Sequence, residues 1–300
     1  MIVVNIKDGL GNQMFQYANA YVLAKKVNSY VVCDTRYLIE KKINPPKDYV
    51  IRNFDLDIFN ISPKKINYLM LLYTAQFFSN YVVRHNVVKL IDKLNLHVLM
   101  ERSRKVDLRI IKNRRKYLYI DGYWQSEEYF KDYRYEIIKL FNFNDIKNNK
   151  INLSFLKEIN FKNDICLNVR RTDHLNSDEL NAVTSNYYKN SIEFFRQKST
   201  EPFKIYVFSD DIQWCKKNFS ESENFIFVEH DKAGKKFKNY LYLMSCFKNF
   251  IIPNSSFAWW GAWLSNKEYK TILAPKNWSG TINENQIDTV PDSWIRINNY

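Results

Sequence analysis

Three hundred residues, 46% hydrophobic and 26% charged, describe a soluble globular protein and exclude an unfolded or membrane-embedded chain. The length suits one large domain or two of ordinary size. The excess of 45 basic over 32 acidic residues gives +13, which admits nucleic acid, an anionic membrane surface or a phosphorylated substrate as partner and does not choose among them. Cys33, Cys166, Cys215 and Cys246 are far apart, with no C-x-x-C spacing, and three lie in or beside apolar runs. That pattern predicts buried thiols in a reducing compartment. Met1-Ile2-Val3-Val4-Asn5 enters a strand without a basic lead or cleavage site, so a cytoplasmic protein without a secretory signal is expected.

In chain order, residues 2–6 read as a strand and Asp8-Gly9-Leu10-Gly11-Asn12 as a turn. The spacing of Met14, Phe15, Ala18, Tyr21, Val22 and Lys25 predicts a helix over 13–27 with Asn12 as its N-cap. A second strand over 30–33 ends at Asp34, as in a dinucleotide fold, but Met14 stands where that fingerprint needs its third glycine. What remains is a strand, a glycine turn and a helix whose free N–H groups suit a polar ligand. Asp55-Leu56-Asp57 has the D-x-D spacing of metal-dependent sugar transferases, yet residues 54–59 alternate as a half-buried strand with the acids outward. The four histidines are scattered, and no metal is expected.

Residues 66–83 carry an amphipathic stripe, read as a core helix or as one lying in a membrane interface. The basic run 102–116 reads as a solvated arm. A strand over 117–120 precedes Asp121-Gly122-Tyr123-Trp124-Gln125, and a helix is predicted over 126–140. Residues 142–163, rich in Asn, Lys and Ile, read as a hinge with a short helix, dividing a first domain of 1–160 from a second of 161–300. The second domain is regular. Strands over 165–169, 204–208, 225–228, 249–253 and 270–274 alternate with helices near 185–198, 211–218, 238–247 and 256–265, the pattern of a parallel α/β sheet.

In such sheets ligands bind beyond the carboxyl ends of the strands. Those ends hold Arg170 and Arg171, Ser209 and Asp210, Glu229, and Asn254-Ser255-Ser256. Two adjacent arginines leaving a buried strand call for an anion, either Asp173 or a phosphorylated ligand. Ser255 or Ser256 would cap the next helix, whose N-terminus suits phosphate. Arginines and a helix N-terminus in one crevice are chemistry for a pyrophosphate, and they stabilise a departing diphosphate without metal. A basic nucleic-acid-binding protein is the rival from another class, without a recognised binding motif to support it; a non-catalytic carbohydrate-binding module is the third.

Gly9-Leu10-Gly11-Asn12-Gln13-Met14-Phe15-Gln16-Tyr17-Ala18, Arg170-Arg171-x-Asp173, Phe208-Ser209-Asp210-Asp211 and Asn254-Ser255-Ser256-Phe257-Ala258-Trp259-Trp260-Gly261 resemble glycosyltransferase family 11, the α-1,2-fucosyltransferases, many of them bacterial and acting in O-antigen or capsule synthesis. Gly122-Tyr123-Trp124-Gln125 and Pro291-Asp292-Ser293-Trp294 extend the resemblance over nearly the whole chain. It implies a GT-B architecture of two Rossmann-like domains facing across a cleft, with no cofactor beyond the donor substrate. It implies inverting, metal-independent transfer of L-fucose from GDP-fucose to the 2-hydroxyl of a terminal galactosyl residue on an oligosaccharide or lipid-linked glycan. Peripheral contact at the inner face of the membrane is the alternative that the interfacial reading of 66–83 leaves open. Arg170 would bind the β-phosphate and assist departure of GDP. Asn168, Arg171, Asp173, Ser209, Asp210, Tyr240, Asn254, Ser255, Ser256 and Phe257 fall on the donor side, and Gly11, Asn12, Gln13, Trp124 and Gln125 on the acceptor side. Three positions depart from the family: Asn168 and Tyr240 replace the usual His and Asp beside the guanosine, so another nucleotide or deoxysugar is an alternative donor. Asp8 replaces a glycine, and its carboxylate is a candidate general base.

Overall fold

The computed structural model describes residues 1–46, 50–63, 81–93, 97–172, 177–178, 180, 183–219 and 224–300. Asp173 and most of the stripe 66–83 lie outside them. The chain forms two compact units, Met1–Phe141 and Asn142–Tyr300. Each is a parallel sheet with helices, so the α/β class with two Rossmann-like halves is the architecture observed.

The first sheet contains β1 (Ile2–Asn5), β2 (Val31–Asp34), β3 (Val98–Met100) and β4 (Leu118–Asp121) in the order β2-β1-β4-β3, all parallel. β1 and β4 are buried along their whole length, as continuous apolar runs in the centre of a parallel sheet must be. Helices α1 (Leu10–Lys26), α2 (Arg36–Ile43), α3 (Tyr81–Lys93), α4 (Leu108–Ile111) and α5 (Arg134–Leu140) belong to this unit.

Four expectations are corrected here. α1 begins at Leu10 with Gly9 as N-cap, because Asp8 turns the chain at φ 57° and the Gly9 carbonyl takes the Gln13 N–H at 3.1 Å. Asn12 therefore lies inside the first turn with its side chain free of capping. Residues 56–59 form a 3-10 helix, not a strand, since the Asp55 N–H is held by the Gln13 side chain at 2.8 Å. The helix predicted over 126–140 is two 3-10 turns, Glu127–Tyr129 and Lys131–Tyr133, followed by α5. It breaks at Phe130, whose backbone is non-helical (φ −146°, ψ 1°) and whose ring packs on Phe15. The basic run is a solvated arm only in part: Lys105, Lys112, Arg114, Arg115 and Lys116 are exposed, but Arg102 and Arg109 both bind the buried Asp92, at 2.8 Å each, and Arg104 lies over the Tyr123 ring.

The second sheet runs β10-β9-β8-β5-β6-β7, again all parallel: β5 (Ile165–Val169), β6 (Ile205–Ser209), β7 (Phe225–Phe227), β8 (Asn249–Ile251), β9 (Thr271–Pro275) and β10 (Ile295–Ile297). Between them come α6 (Lys150–Lys157), which precedes β5, then α7 (Ser185–Lys198), α8 (Ile212–Phe219), α9 (Lys238–Ser245) and α10 (Ser256–Leu264). Ile165, Leu167, Val207, Ile251 and Leu273 form one core with Tyr187, Ile192 and Phe195 of α7. α9 and α10 approach so closely that a Cβ on Gly261 would lie 2.9 Å from the Met244 Cε. Residues 142–160, expected with the first domain, belong to this unit. Asp145 pairs with the buried Lys238 at 2.7 Å, and Asn152 and Asn239 exchange amide bonds at 3.2 and 3.1 Å.

Candidate active site

The second sheet has its switch point between β5 and β8. From β5 the chain moves outward to β6 and β7, then returns to β8 on the other flank. Neighbouring strands lie about 4.8 Å apart, so Arg170 after β5 and Asn254 after β8 leave the sheet side by side. This is the crevice that binds ligands in open α/β sheets.

Asp210 organises the arginines. Its carboxylate accepts the Arg171 and Thr172 N–H groups, at 3.0 Å each, and the Thr172 hydroxyl, and lies 3.2 Å from the Arg170 guanidinium. Arg171 turns the other way: its guanidinium lies 3.8 Å over the Trp214 ring and 3.5 Å from Asp211. The pair is thus divided, with Arg171 stacked and Arg170 part-exposed at the strand end. Ser209 is a turn residue, its hydroxyl taking the Asp211 N–H at 2.9 Å and its carbonyl meeting the His230 ring at 2.8 Å.

On the β8 side Ser255 is the N-cap of α10, accepting the Ala258 N–H at 3.4 Å. The Ser256 and Phe257 N–H groups, in the first turn, keep no partner among the described residues. Asn254 gives its amide N–H to the Leu180 carbonyl at 2.8 Å, while its buried Oδ1 has no partner among the described residues. A cation at a strand end beside an open helix N-terminus fits an oxyanion. Asn168 and Tyr240 face elsewhere. Asn168 donates to the Phe208 carbonyl at 3.1 Å, and the Tyr240 hydroxyl donates to the Val228 carbonyl. Both are buried, and burial raises the Tyr240 pKa.

In the first unit the ends of β1, β3 and β4 build a second cluster. The Tyr123 hydroxyl donates to the Asp8 carboxylate at 2.5 Å. Burial, then that carboxylate, raises the phenol's pKa. Lys7 pairs with Asp121 and lies 5.9 Å from the centre of the Tyr123 ring. Glu101, just past β3, accepts the Tyr123 and Trp124 N–H groups at 2.8 and 2.9 Å, clamping a turn in which Trp124 has φ 54°. Gly122 is required there, since a Cβ would fall 2.4 Å from that of Glu101. Burial raises the Glu101 pKa against the pull of these N–H groups and Arg104.

Gln125 gives its amide to the Asn12 Oδ1 at 2.7 Å and takes Arg104 at 3.3 Å, so Asn12, Gln125 and Asp8 converge on one turn. Other expected acceptor residues are internal. Gln13 is fully buried, donating to the Asp8 and Asn53 carbonyls at 2.7 Å each. Gly11 is buried within α1, and Trp124 is fully buried with its ring edge-on to Tyr129. Asp34 is engaged by Arg36 at 2.9 Å and by the Tyr119 hydroxyl at 3.3 Å. Sequence reasoning missed Glu101, Arg104, Asp211 and Trp214. Only Asp211 carried a signal, as a second acid beside Asp210 after β6. Among the described residues no group of three or more His, Cys, Asp or Glu side chains gathers as a metal site does.

The sequence model of Glycosyl transferase family 11 matches residues 1–298. The alpha-1,2-colitosyltransferase of Escherichia coli is 31% identical, the match covering 99% of this chain and 99% of that one. The O-antigen biosynthesis glycosyltransferase WbnK of Escherichia coli is 29% identical over 97% of this chain and 99% of its own. Among solved structures, fucosyltransferase NodZ from Bradyrhizobium superposes with a TM-score of 0.48 at 13% identity, over 87% of this chain and 91% of that one.

Proposed function

Because the chain belongs to glycosyl transferase family 11, we propose that it is an inverting transferase moving L-fucose from GDP-fucose to the 2-hydroxyl of a terminal galactosyl residue on a surface glycan. The observation that carries this reading is the pairing of Arg170 with the open N-terminus of α10 at the switch point of the second sheet. The second unit then holds the donor and the first the acceptor. A second reading keeps the reaction and changes the sugar to colitose, a related deoxysugar. The colitosyltransferase relative favours it.

In the reaction the acceptor's hydroxyl oxygen attacks the anomeric carbon from the face opposite the diphosphate. The bond to the β-phosphate oxygen breaks, and its electron pair leaves with the nucleotide. Arg170 and the Ser256 and Phe257 N–H groups meet the charge that grows on that oxygen, which lowers the barrier without a metal. The hydroxyl proton passes to Asp8, whose carboxylate is oriented by Tyr123. Asn12 and Gln125 hold the acceptor sugar. The acceptor is an oligosaccharide or lipid-linked glycan met in the cytoplasm, in keeping with the relative named for O-antigen biosynthesis.

Incubation with GDP-fucose and a β-galactoside, with and without EDTA, tests the reading. GDP release with one deoxyhexose added to the acceptor, indifferent to EDTA, is expected. Transfer from another nucleotide sugar alone would replace the donor, and glycan binding with no nucleotide affinity would leave a non-catalytic carbohydrate-binding protein.

A further inference from the structure

We propose that Phe237 is the platform on which the donor's nucleobase stacks, so that this protein grips the base by its face. The proposal rests on the reading of the second unit as the donor site.

The two side chains at the guanosine-side positions spend their donors within the protein, and neither is a carboxylate that could accept a pair of bonds from a base. The Asn168 amide is turned to the Phe208 carbonyl with Met244 sulfur at 4.0 Å, and the Tyr240 hydroxyl is turned to the Val228 carbonyl. Tyr240 is instead part of an aromatic wall. Its ring lies 5.2 Å from Phe208, 6.1 Å from His230 and 5.8 Å from Phe237. Phe208 and Tyr240 are buried, whereas His230 is exposed and Phe237 is 43% exposed.

The backbone that presents Phe237 is unusual. Gly234, Lys236 and Phe237 have φ of 69°, 52° and 59°. Glycine adopts such angles freely, but a lysine and a phenylalanine in succession do so only where the surroundings impose it, and such strain gathers at ligand clamps. Capping does not account for it. Phe237 sits at the N-cap of α9 without a side-chain bond, and the Asn239 and Tyr240 N–H groups are already satisfied by the Ala233 carbonyl at 3.0 and 3.3 Å. What the turn achieves is the placement of one ring, backed by Tyr240 and His230, with a face open.

That ring adjoins the proposed phosphate site. Its centre is 6.5 Å from that of Phe257, whose own N–H is one of the open donors at the start of α10. A flat apolar surface one residue's width from an oxyanion site matches a nucleoside diphosphate, base on the ring and phosphates on the helix. Base–aromatic stacking accepts any base, since every base has a π-face.

The test is calorimetric titration of GDP, ADP and inorganic pyrophosphate into wild type, Phe237→Asn and Phe237→Trp. Asparagine tolerates φ near 59° and removes the ring; tryptophan keeps one. We expect Phe237→Asn to weaken GDP and ADP about tenfold each while pyrophosphate binds as to wild type, and Phe237→Trp to bind both nucleotides at least as well as wild type. Unchanged nucleotide affinity in Phe237→Asn would overturn the platform and leave the donor site standing. An equal loss of pyrophosphate would make the residue a general support of the loop and overturn it too. Absence of nucleotide and pyrophosphate binding in wild type would remove the donor reading and the platform with it.

Discussion

The carboxylate of Asp210 anchors both arginines, and replacing it with Asn measures how much of the site's order depends on it. In the wild type its two oxygens accept two backbone N–H groups, at 3.0 Å each, a hydroxyl, and a guanidinium at 3.2 Å. Hydrogen bonds to a charged acceptor contribute about 1.5–3 kcal/mol each. Asparagine keeps one oxygen, enough for the Arg171 N–H. Its NH2 then faces the Thr172 N–H and the Arg170 guanidinium, donor against donor. One charged bond is lost and a part-screened ion pair goes with it, a total of about 3 kcal/mol. For a unit of this size that lowers the melting temperature by roughly 6–12 °C. Urea unfolding followed by tryptophan fluorescence isolates the effect, because Trp124 is the first unit's tryptophan and the other six belong to the second. Asp210→Ala, losing both backbone acceptors, should fall further. An Asp210→Asn midpoint within about 0.5 kcal/mol of wild type would refute the clamp.

Arg170→Ala should lower turnover at least about 100-fold while lowering the melting temperature by no more than about 2–4 °C, the share of its part-screened pair with Asp210, and activity near wild type would remove Arg170 from the diphosphate. Asp8→Asn, read by turnover at saturating donor, should lose roughly 100-fold or more with GDP affinity unchanged; undiminished turnover would discard it as the base. Gln13→Ala removes the side-chain bonds to the Asp8 and Asn53 carbonyls and from the Asp55 N–H, all made by one buried amide. It should destabilise the first unit by about 2–4 kcal/mol, measured by urea unfolding. Glu101 binds its proton more tightly folded than unfolded because burial raises its pKa. Its contribution therefore favours folding at low pH and is lost as pH climbs from the ordinary carboxylate range through the raised value. Glu101→Gln should flatten that part of the stability–pH curve, and an unchanged curve would mean the group titrates alike in both states.

The second unit was the more legible half. Its central strands are buried on both faces and so read as unbroken apolar runs, and its helices are long enough to show a period. β3 and β10, three residues each, carry no such signal and take their conformation from the strand beside them. Residues 54–59 alternate in polarity as a strand does, and the same burial is met by a 3-10 turn once Gln13 claims the Asp55 N–H. No local pattern shows a bond to a side chain 42 residues away. In the site, residue types at strand ends pointed to Arg170 and Ser255, and the departure from the family's glycine pointed to Asp8. What they touch was not legible. Glu101 reaches Tyr123 and Trp124 across 22 and 23 residues, Asp210 reaches Arg171 across 39, and Trp124 turns inward only because its backbone is left-handed.

Both sheets are entirely parallel, and this has a consequence during synthesis. β1 finds β2 early, but its other edge waits for β4: Ile2 lies opposite Leu118. In the second unit β5 likewise waits for β8, Ile165 opposite Asn249. No hairpin nucleates either sheet. At about 5–20 residues per second the ribosome leaves each central strand with a bare edge for on the order of 10 s. That edge, four residues in β1 and five in β5, is an apolar template for pairing with other nascent chains. Yield in a heterologous host is therefore governed by what shields β1 and β5 while their partners are being translated, before either unit has a stability to measure.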